Sequence, residues 1–208
     1  MHSLKSGNRI SQSFQNSHNP HFNIQKKMKP TKPWLKLNGI IYSLEQLKSG
    51  DFKNGLNLFE QSTLKFCHHW LSGQHAFQLH TSGSTGTPKS ISITRAQMEA
   101  SASLTIKALK LEPSYTTLVC LDTKYIAGQM MLVRSLLLGM NMVAVDPSSN
   151  PFEKIPLTHP IDFAALVPYQ VQFILSSSDR SRINEIKYAL VGGAPLDLIT
   201  KKDLQSFR

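Results

Sequence analysis

Cysteine is scarce in this 208-residue sequence, which contains Cys67 and Cys120 far apart and without the paired spacing of a zinc site. That scarcity excludes a disulfide framework and indicates a reducing compartment. The sequence also lacks an uninterrupted apolar run long enough to span a membrane. Its most apolar window, residues 126–145, contains Gln129 and has Arg134 near its middle, where a membrane helix would not carry a charge. We therefore expect a soluble protein of the cytoplasm, without a membrane span.

Acidic residues are missing from the first 32 residues, which contain six lysines and arginines. The rest of the chain has 17 basic and 13 acidic residues, so most of the formal charge of +10 belongs to this tail. Serine, asparagine and glutamine are frequent there and apolar residues are few, which predicts a disordered segment over residues 1–33. A nucleic-acid-binding protein is an alternative that rests on the tail alone, because the remainder shows no face combining aromatic and basic residues. We expect no nucleic-acid partner.

Two interpretations of the basic tail are open. A transit peptide is basic, rich in serine and poor in acids, as the tail is, but it is also amphipathic and rich in arginine. The tail has one arginine, Arg9, and no helical apolar stripe. We favour the simpler interpretation, in which Met28 is the natural start of the protein and residues 1–27 precede it.

Short sequence signals mark the first elements of the folded part, which we place at residues 34–208. The dipeptide Asn38–Gly39 is typical of a hairpin turn, and Ser43 is a predicted helix cap. Apolar residues from Phe52 to Trp70 recur at roughly helical spacing, which predicts a helix. Thr94 is expected to begin another helix, in a capping box with the glutamine three residues on.

Beyond residue 115 the chain alternates continuous apolar strands with helices. Such strands are buried on both faces, as in a sheet covered by helices. The sequence therefore predicts an α/β fold with a largely parallel sheet flanked by helices. The last of these helices is expected to begin at Pro195, because proline suits the first helical position.

One loop is rich in the groups that bind phosphate: the stretch TSGSTGTPK, residues 81–89, combines glycines, hydroxyls and a lysine. It is not a Walker A loop, because Pro88 occupies the position of that motif's second glycine and has no backbone N–H to offer a phosphate. A Walker A loop also leads into a helix, whereas the alternation of Ile91 and Ile93 predicts a strand. The loop is therefore predicted to join two strands and to bind phosphate through its amides, its hydroxyls and Lys89.

The same nine residues resemble the phosphate-binding signature of the adenylate-forming superfamily, which includes acyl- and aryl-CoA ligases, luciferases and nonribosomal adenylation domains. The match to the pattern S/T-S/T-G-S/T-T-G-x-P-K is complete, including its proline. The resemblance implies that the loop contacts ATP and that its lysine neutralises charge on the leaving pyrophosphate. It assigns nucleotide binding to Thr81, Ser82, Gly83, Ser84, Thr85, Gly86, Thr87 and Lys89.

The stretch ALVGGAPL is similar to the strand and turn of this superfamily whose backbone packs against the adenine ring. A flat ring needs a surface free of side chains, which suits the paired glycines. Taken alone, the glycine pair also fits an ordinary turn between a strand and a helix. The resemblance implies adenine contacts for Gly192, Gly193, Ala194 and Pro195.

The stretch KYIAGQMMLVRSLLLG is similar to the segment that forms one wall of the acyl pocket, which implies substrate contacts for Tyr125, Gly128 and Arg134. Tyr125 stands where family members often have histidine. Arg134 has two interpretations. It is either a surface arginine whose aliphatic stem lies along apolar neighbours, or a cation that supports the pocket for a dicarboxylic substrate or pairs with a neighbouring acid.

Together these stretches are most similar to the o-succinylbenzoate–CoA ligases of menaquinone biosynthesis, over roughly residues 34–205. The resemblance implies an ATP- and Mg²⁺-dependent ligase that forms an acyl-adenylate from a carboxylic acid and transfers the acyl group to coenzyme A. A CoA ligase for another carboxylic acid is the alternative. The sequence does not predict an oligomeric state.

Family members carry further elements after the glycine pair, and they are missing here: a Tyr-Gly-x-Thr-Glu segment, a ribose-binding aspartate and a small C-terminal domain with the catalytic lysine. We therefore expect an N-terminal fragment, residues 34–208 being part of the large N-terminal AMP-binding domain. Its catalytic residues are incomplete, and the fragment alone is expected to be inactive. A non-catalytic nucleotide-binding module that ends at Arg208 is the alternative from another class.

A cluster of histidines raises the question of a metal. His68, His69, His75 and His80 lie close to Cys67 along the chain, but adjacent ligands of this kind have poor geometry and no second pair follows at zinc-finger spacing. We therefore expect no metal site at this cluster.

Overall fold

The computed structural model describes residues 32–81, 89–157 and 159–206, apart from the side chains of residues 80, 81, 89 and 90. Residues 1–31 of the predicted tail and residues 82–88 of the predicted phosphate loop therefore lie outside the described residues. In the described ranges no helix combines the length and the apolar character needed to cross a membrane.

Eight strands and six α-helices form within these ranges. The strands are β1 (Trp34–Leu37), β2 (Ile40–Ser43), β3 (Ala76–Thr81), β4 (Lys89–Thr94), β5 (Thr116–Val119), β6 (Asn141–Ala144), β7 (Phe163–Leu166) and β8 (Tyr188–Val191). The helices are α1 (Leu44–Ser49), α2 (Leu58–Leu71), α3 (Arg95–Leu109), α4 (Ile126–Leu138), α5 (Pro168–Leu175) and α6 (Leu198–Gln205). Two short 3₁₀ helices span Pro151–Lys154 and Ser178–Glu185.

The turn between β1 and β2 is formed by Asn38 and Gly39, as the sequence predicted. Their φ angles of 44° and 91° lie in the left-handed region that a two-residue hairpin turn requires. The Asn38 side chain also donates hydrogen bonds to Glu60, at 2.9 Å, and to Asp146, at 2.7 Å. Because Glu60 belongs to α2 and Asp146 follows β6, the turn is tied to two other parts of the fold.

A six-stranded sheet in the order β2-β1-β6-β5-β7-β8 organises the described residues. Only the pairing of β1 with β2 is antiparallel, and every other neighbouring pair in this sheet is parallel. Strands β3 and β4 form a separate antiparallel pair. The predicted α/β fold with a largely parallel sheet is confirmed.

Apolar side chains cover both faces of the large sheet. Successive residues of a strand point to opposite faces, and β5 shows the consequence. Val119 packs in a core that includes residues of α2, α3 and α4, whereas Leu118 packs in a second core with α5 and the turn at Phe152. This double burial explains why the strands read as continuous apolar runs in the sequence.

Capping side chains decide where the helices begin. Ser43 and Thr94 each accept a bond from the third residue of their helix in a capping box, as predicted. The helix predicted across Phe52–Trp70 begins later than its apolar spacing indicated, at Leu58. Asn57 caps it and forms its own capping box. The apolar residues before Asn57 therefore lie in a loop and pack against the core from there.

The prediction that the last helix begins at Pro195 is wrong. Helix α6 begins at Leu198, because the Asp197 carboxylate accepts bonds from the backbone N–H groups of Ile199 and Thr200. The Thr200 hydroxyl donates to the same carboxylate, and these bonds hold the pKa of Asp197 well below its usual range. An aspartate cap accepts hydrogen bonds from the N–H groups of the helix's first turn. A proline at the first helical position has no side-chain acceptor and leaves those groups without a partner.

A buried arginine holds the two 3₁₀ helices together. Arg182 is 2% exposed, and its Nη1 donates to the carbonyl oxygens of Phe152, at 3.0 Å, and Ile155, at 2.8 Å. Its guanidinium also lies over the Phe152 ring, 4.5 Å from the centroid. These contacts fix the connection between β6 and β7 against the sheet.

We expect Gly128→Ala to destabilise the protein. A Cβ at Gly128 would lie 2.6 Å from the carbonyl oxygen of Asp122 and 2.7 Å from that of Leu121. Alanine favours a helix over glycine by about 1 kcal/mol, but a clash with backbone cannot be relieved by a rotamer change. The free energy of unfolding in urea should fall by about 1–3 kcal/mol.

The matched control for this substitution is Gly192→Ala. A Cβ there meets nothing within 4 Å, and the backbone is outside the left-handed region. Equal unfolding midpoints for the two variants would contradict the packing role of Gly128.

Candidate functional site

The carboxyl ends of three parallel strands form one wall of an apolar cleft of about 300 Å³. Strands β5, β7 and β8 lead there to Leu121, Val167 and Gly192. Ligands bind at this edge of open α/β sheets, because the loops after parallel strands leave a crevice there. Helix α4 forms the opposite wall. We take this cleft as the candidate functional site.

The α4 wall is one face of the helix. Ile126, Met130 and Arg134 follow one another at intervals of four residues, with Ala127 beside them, and all four line the cleft. Ile126 is 38% exposed and Met130 is 6% exposed, so the cleft opens near the start of the helix. The sequence analysis did not select these apolar residues, although their spacing relative to Arg134 could have identified them.

Arg134 is the charged residue of this cleft and is half-buried. Its Nη1 lies 3.7 Å from the Met131 sulfur, and its Nε is buried without a hydrogen-bond partner in the described part of the chain. Burial lowers the pKa of this guanidinium. A cation that has lost water without gaining an acid attracts a carboxylate strongly, and the guanidinium fork matches carboxylate geometry.

The predicted glycine pair lies on the opposite wall. Gly192 continues β8 and donates its N–H to Leu166, at 3.2 Å, and a Cβ added to it would meet open space. Gly193 has a φ of 89°, which favours glycine. Both glycines line the cleft, whereas Ala194 and Pro195 are exposed in the loop beyond it. The strand therefore ends on backbone that carries no side chains, and the adenine contact assigned to it stays a prediction.

Tyr125 and Gly128, the other residues predicted to contact substrate, do not line the cleft in this structure. Tyr125 precedes α4 and is 50% exposed, without a side-chain capping bond. Gly128 is buried against the backbone of Asp122, where its missing side chain lets the helix approach the turn after β5. Of the three predicted residues, Arg134 is the one that faces the cleft.

The predicted phosphate loop joins two strands, as its sequence indicated. Strands β3 and β4 pair antiparallel, with the backbone of Thr81 opposite that of Lys89. Residues 82–88 and the side chains of Thr81 and Lys89 lie outside the described residues. Their contacts with a nucleotide stay a prediction.

The two cysteines are buried free thiols, and His68 has a backbone partner. Burial raises the pKa of Cys67 and of Cys120 to about 12, so both remain neutral thiols at physiological pH. His68 places its Nδ1 2.9 Å from the Lys48 carbonyl oxygen. Among the described residues there is no group of three or more histidine, cysteine or acidic residues that could hold a metal ion.

Comparison with known families gives the class of this chain. The family model described as AMP-binding enzyme matches residues 22–207. The chain belongs to the AMP-binding enzyme family, and the predicted superfamily is confirmed. No curated protein matches the sequence.

Solved structures of this class contain the same fold. The acyl-CoA synthetase (AMP-forming)/AMP-acid ligase II-like protein of Dyadobacter fermentans is 40% identical, with a TM-score of 0.66 over 78% of this chain and 46% of that one. The O-succinylbenzoate coenzyme A synthetase of Bacillus subtilis, solved with AMP, is 24% identical, with a TM-score of 0.57 over 62% of this chain and 27% of that one. The second similarity shows the fold alone. This chain spans less than half the length of either protein.

We expect Arg134→Met to leave the stability of the fold unchanged or to raise it. Methionine keeps most of the side-chain volume and removes a desolvated charge that has no acidic partner among the described residues. Arg182→Met is the matched control and should lower the free energy of unfolding by about 1–3 kcal/mol, because two buried carbonyl groups lose their donor. If Arg134→Met destabilised the protein as much as Arg182→Met, Arg134 would be a structural residue.

Proposed function

We propose that this chain is the N-terminal part of an acid–CoA ligase that activates o-succinylbenzoate with ATP. The observation that carries the proposal is the placement of Arg134 in an apolar cleft that ends on the bare backbone of Gly192 and Gly193. An aromatic dicarboxylic acid fits this combination, because its ring matches apolar walls and one carboxylate can pair with the guanidinium. The other carboxylate is then free to be activated.

In the proposed reaction, that second carboxylate attacks the α-phosphate of ATP, giving an acyl-adenylate and releasing pyrophosphate. The thiol of coenzyme A then attacks the acyl carbon and AMP leaves, giving a thioester. Placement of the reactants and stabilisation of phosphate charge dominate the first step. Lys89 and the hydroxyls of residues 81–87 are proposed to supply that charge stabilisation.

Mg²⁺ would neutralise the phosphates of ATP, which together with water supply most of its ligands in such sites. We assign no described residue to it. The chain spans 46% of the Dyadobacter protein, and we propose that the missing catalytic groups belong to the rest of a full-length parent. The fragment is therefore expected to bind ligands without turning them over.

The substrate proposal can be tested in the full-length parent with two acids that differ in one group. o-Succinylbenzoate has two carboxylates, and 4-oxo-4-phenylbutanoate lacks the one on the ring. We expect Arg134→Met to lower kcat/KM for o-succinylbenzoate by about ten- to a hundredfold, the value of one charge-assisted hydrogen bond. The same variant should leave kcat/KM for the monocarboxylate nearly unchanged, with AMP release as the measurement.

Lys107→Met is the control for lost charge, because Lys107 is exposed on α3, away from the cleft. Equal losses for both acids would show that Arg134 does not pair with the ring carboxylate. Turnover of fatty acids alone would reject o-succinylbenzoate and leave a CoA ligase for another acid.

The role proposed for Lys89 can be tested by separating the two half-reactions. We expect Lys89→Ala in the full-length parent to slow adenylate formation by about ten- to a hundredfold, because a charge-assisted contact with phosphate is lost. Thioester formation from supplied acyl-adenylate should change much less, since pyrophosphate has already left. Equal losses in both half-reactions at unchanged stability would contradict a role in pyrophosphate release.

A further inference from the structure

A second cleft, of about 400 Å³, lies between α2, β3 and the segment that leads into α4. Phe66 and Phe77 contribute its apolar part, and their rings pack 5.1 Å apart. The residues around them are polar or basic, unlike those of the apolar cleft. We call it the basic cleft, after Lys65, His69 and Lys124, which line it.

The charges of the basic cleft come from two sides. Lys65 and His69 are four residues apart on α2 and therefore share one face of that helix. Lys124 lies in the turn before α4 and approaches from the other side. Among the described residues that line the cleft there is no aspartate or glutamate. Burial, and then the neighbouring charges of Lys65 and His68, lower the pKa of His69.

A buried amide in the same cleft lacks a partner. Gln129 is 7% exposed, and its Oε1 is buried without a hydrogen bond in the described part of the chain. Rotation of a glutamine carboxamide by half a turn exchanges its oxygen and its NH₂ group, so the same side chain can offer a donor. Buried polar groups are normally bonded, and other atoms of Gln129 line the basic cleft.

Helix α4 begins between the two clefts. It is 13 residues long, and Tyr125 at its start provides no side-chain cap. The backbone N–H groups of a helix's first turn have no partner within the helix and favour an anion. The basic cleft is lined by Lys124 just before this turn and by Gln129 just after it, whereas Ile126 and Ala127 of the turn itself line the apolar cleft.

We propose that the basic cleft binds the phosphate group of a small molecule, with Lys65 and Lys124 as cations and with the His69 ring and the Gln129 amide as further hydrogen-bond donors. A phosphate is favoured over a single carboxylate because the donors converge from two elements and outnumber the two oxygens of a carboxylate. The proposal covers a free phosphate and a phosphate ester alike. It is independent of the activity proposed for the apolar cleft.

The test uses this chain with Lys89→Ala as the background, so that the predicted phosphate loop contributes little. Inorganic phosphate, ribose 5-phosphate and ribose are titrated separately, and NMR follows the Gln129 side-chain NH₂ and the His69 ring. We expect saturable shifts of both groups with the two phosphates and none with ribose. Tighter binding of ribose 5-phosphate would identify an ester as the preferred ligand, and equal or tighter binding of phosphate a free anion.

Variants then locate the site. Lys65→Gln combined with Lys124→Gln should weaken phosphate binding by about tenfold or more, because two charge-assisted contacts are lost. Lys107→Gln combined with Lys110→Gln removes the same charge from exposed positions of α3 and its end, and should leave binding unchanged. Absence of saturable shifts, or equal binding by the two double variants, would overturn the proposal.

Discussion

The close approach of α4 to the turn after β5 is the contact on which both clefts depend. Gly128 permits it, because any side chain there would collide with the backbone of Asp122. The neighbouring Thr123 hydroxyl lies within hydrogen-bond distance of Ser62, at 2.7 Å, and of Thr63, at 2.9 Å, so the same turn is bonded to α2. One face of α4 is thereby held over the apolar cleft, and Gln129 on another face over the basic cleft.

Two arginines inside the fold, the buried Arg182 and the half-buried Arg134, differ in what surrounds them. Arg182 donates from Nη1 to two backbone carbonyls and lies over an aromatic ring, although its Nε and Nη2 are also buried without a partner in the described residues. Arg134 meets a methionine sulfur and keeps a buried Nε without a partner in the described residues. Burial of an unpaired cation opposes folding. Arg134 lines the apolar cleft and Arg182 does not, so a ligand in that cleft could supply the partner that Arg134 lacks.

Local signals were reliable where a few neighbouring residues decide the conformation. The Asn38–Gly39 turn and the Ser43 and Thr94 caps follow from short-range sterics and hydrogen bonds. The start of α6 was misjudged because two valid start signals, Pro195 and Asp197, compete within three residues. The aspartate prevails because its carboxylate satisfies the first N–H groups of the helix.

By itself, the sequence determined the α/β class, the family and the position of the glycine pair at the end of a strand. Each of these follows from residues that are close together in the chain. The tertiary structure alone decided that Arg134 and Gly192, far apart in sequence, share a cleft. That juxtaposition depends on the strand order β5-β7-β8, which long-range pairing sets and local spacing does not encode. The sequence did not predict the basic cleft for the same reason. Lys65 and Lys124 come together only when α2 packs beside the start of α4. Packing of distant segments determines whether a charged side chain is paired or desolvated, and therefore whether it is available to a ligand.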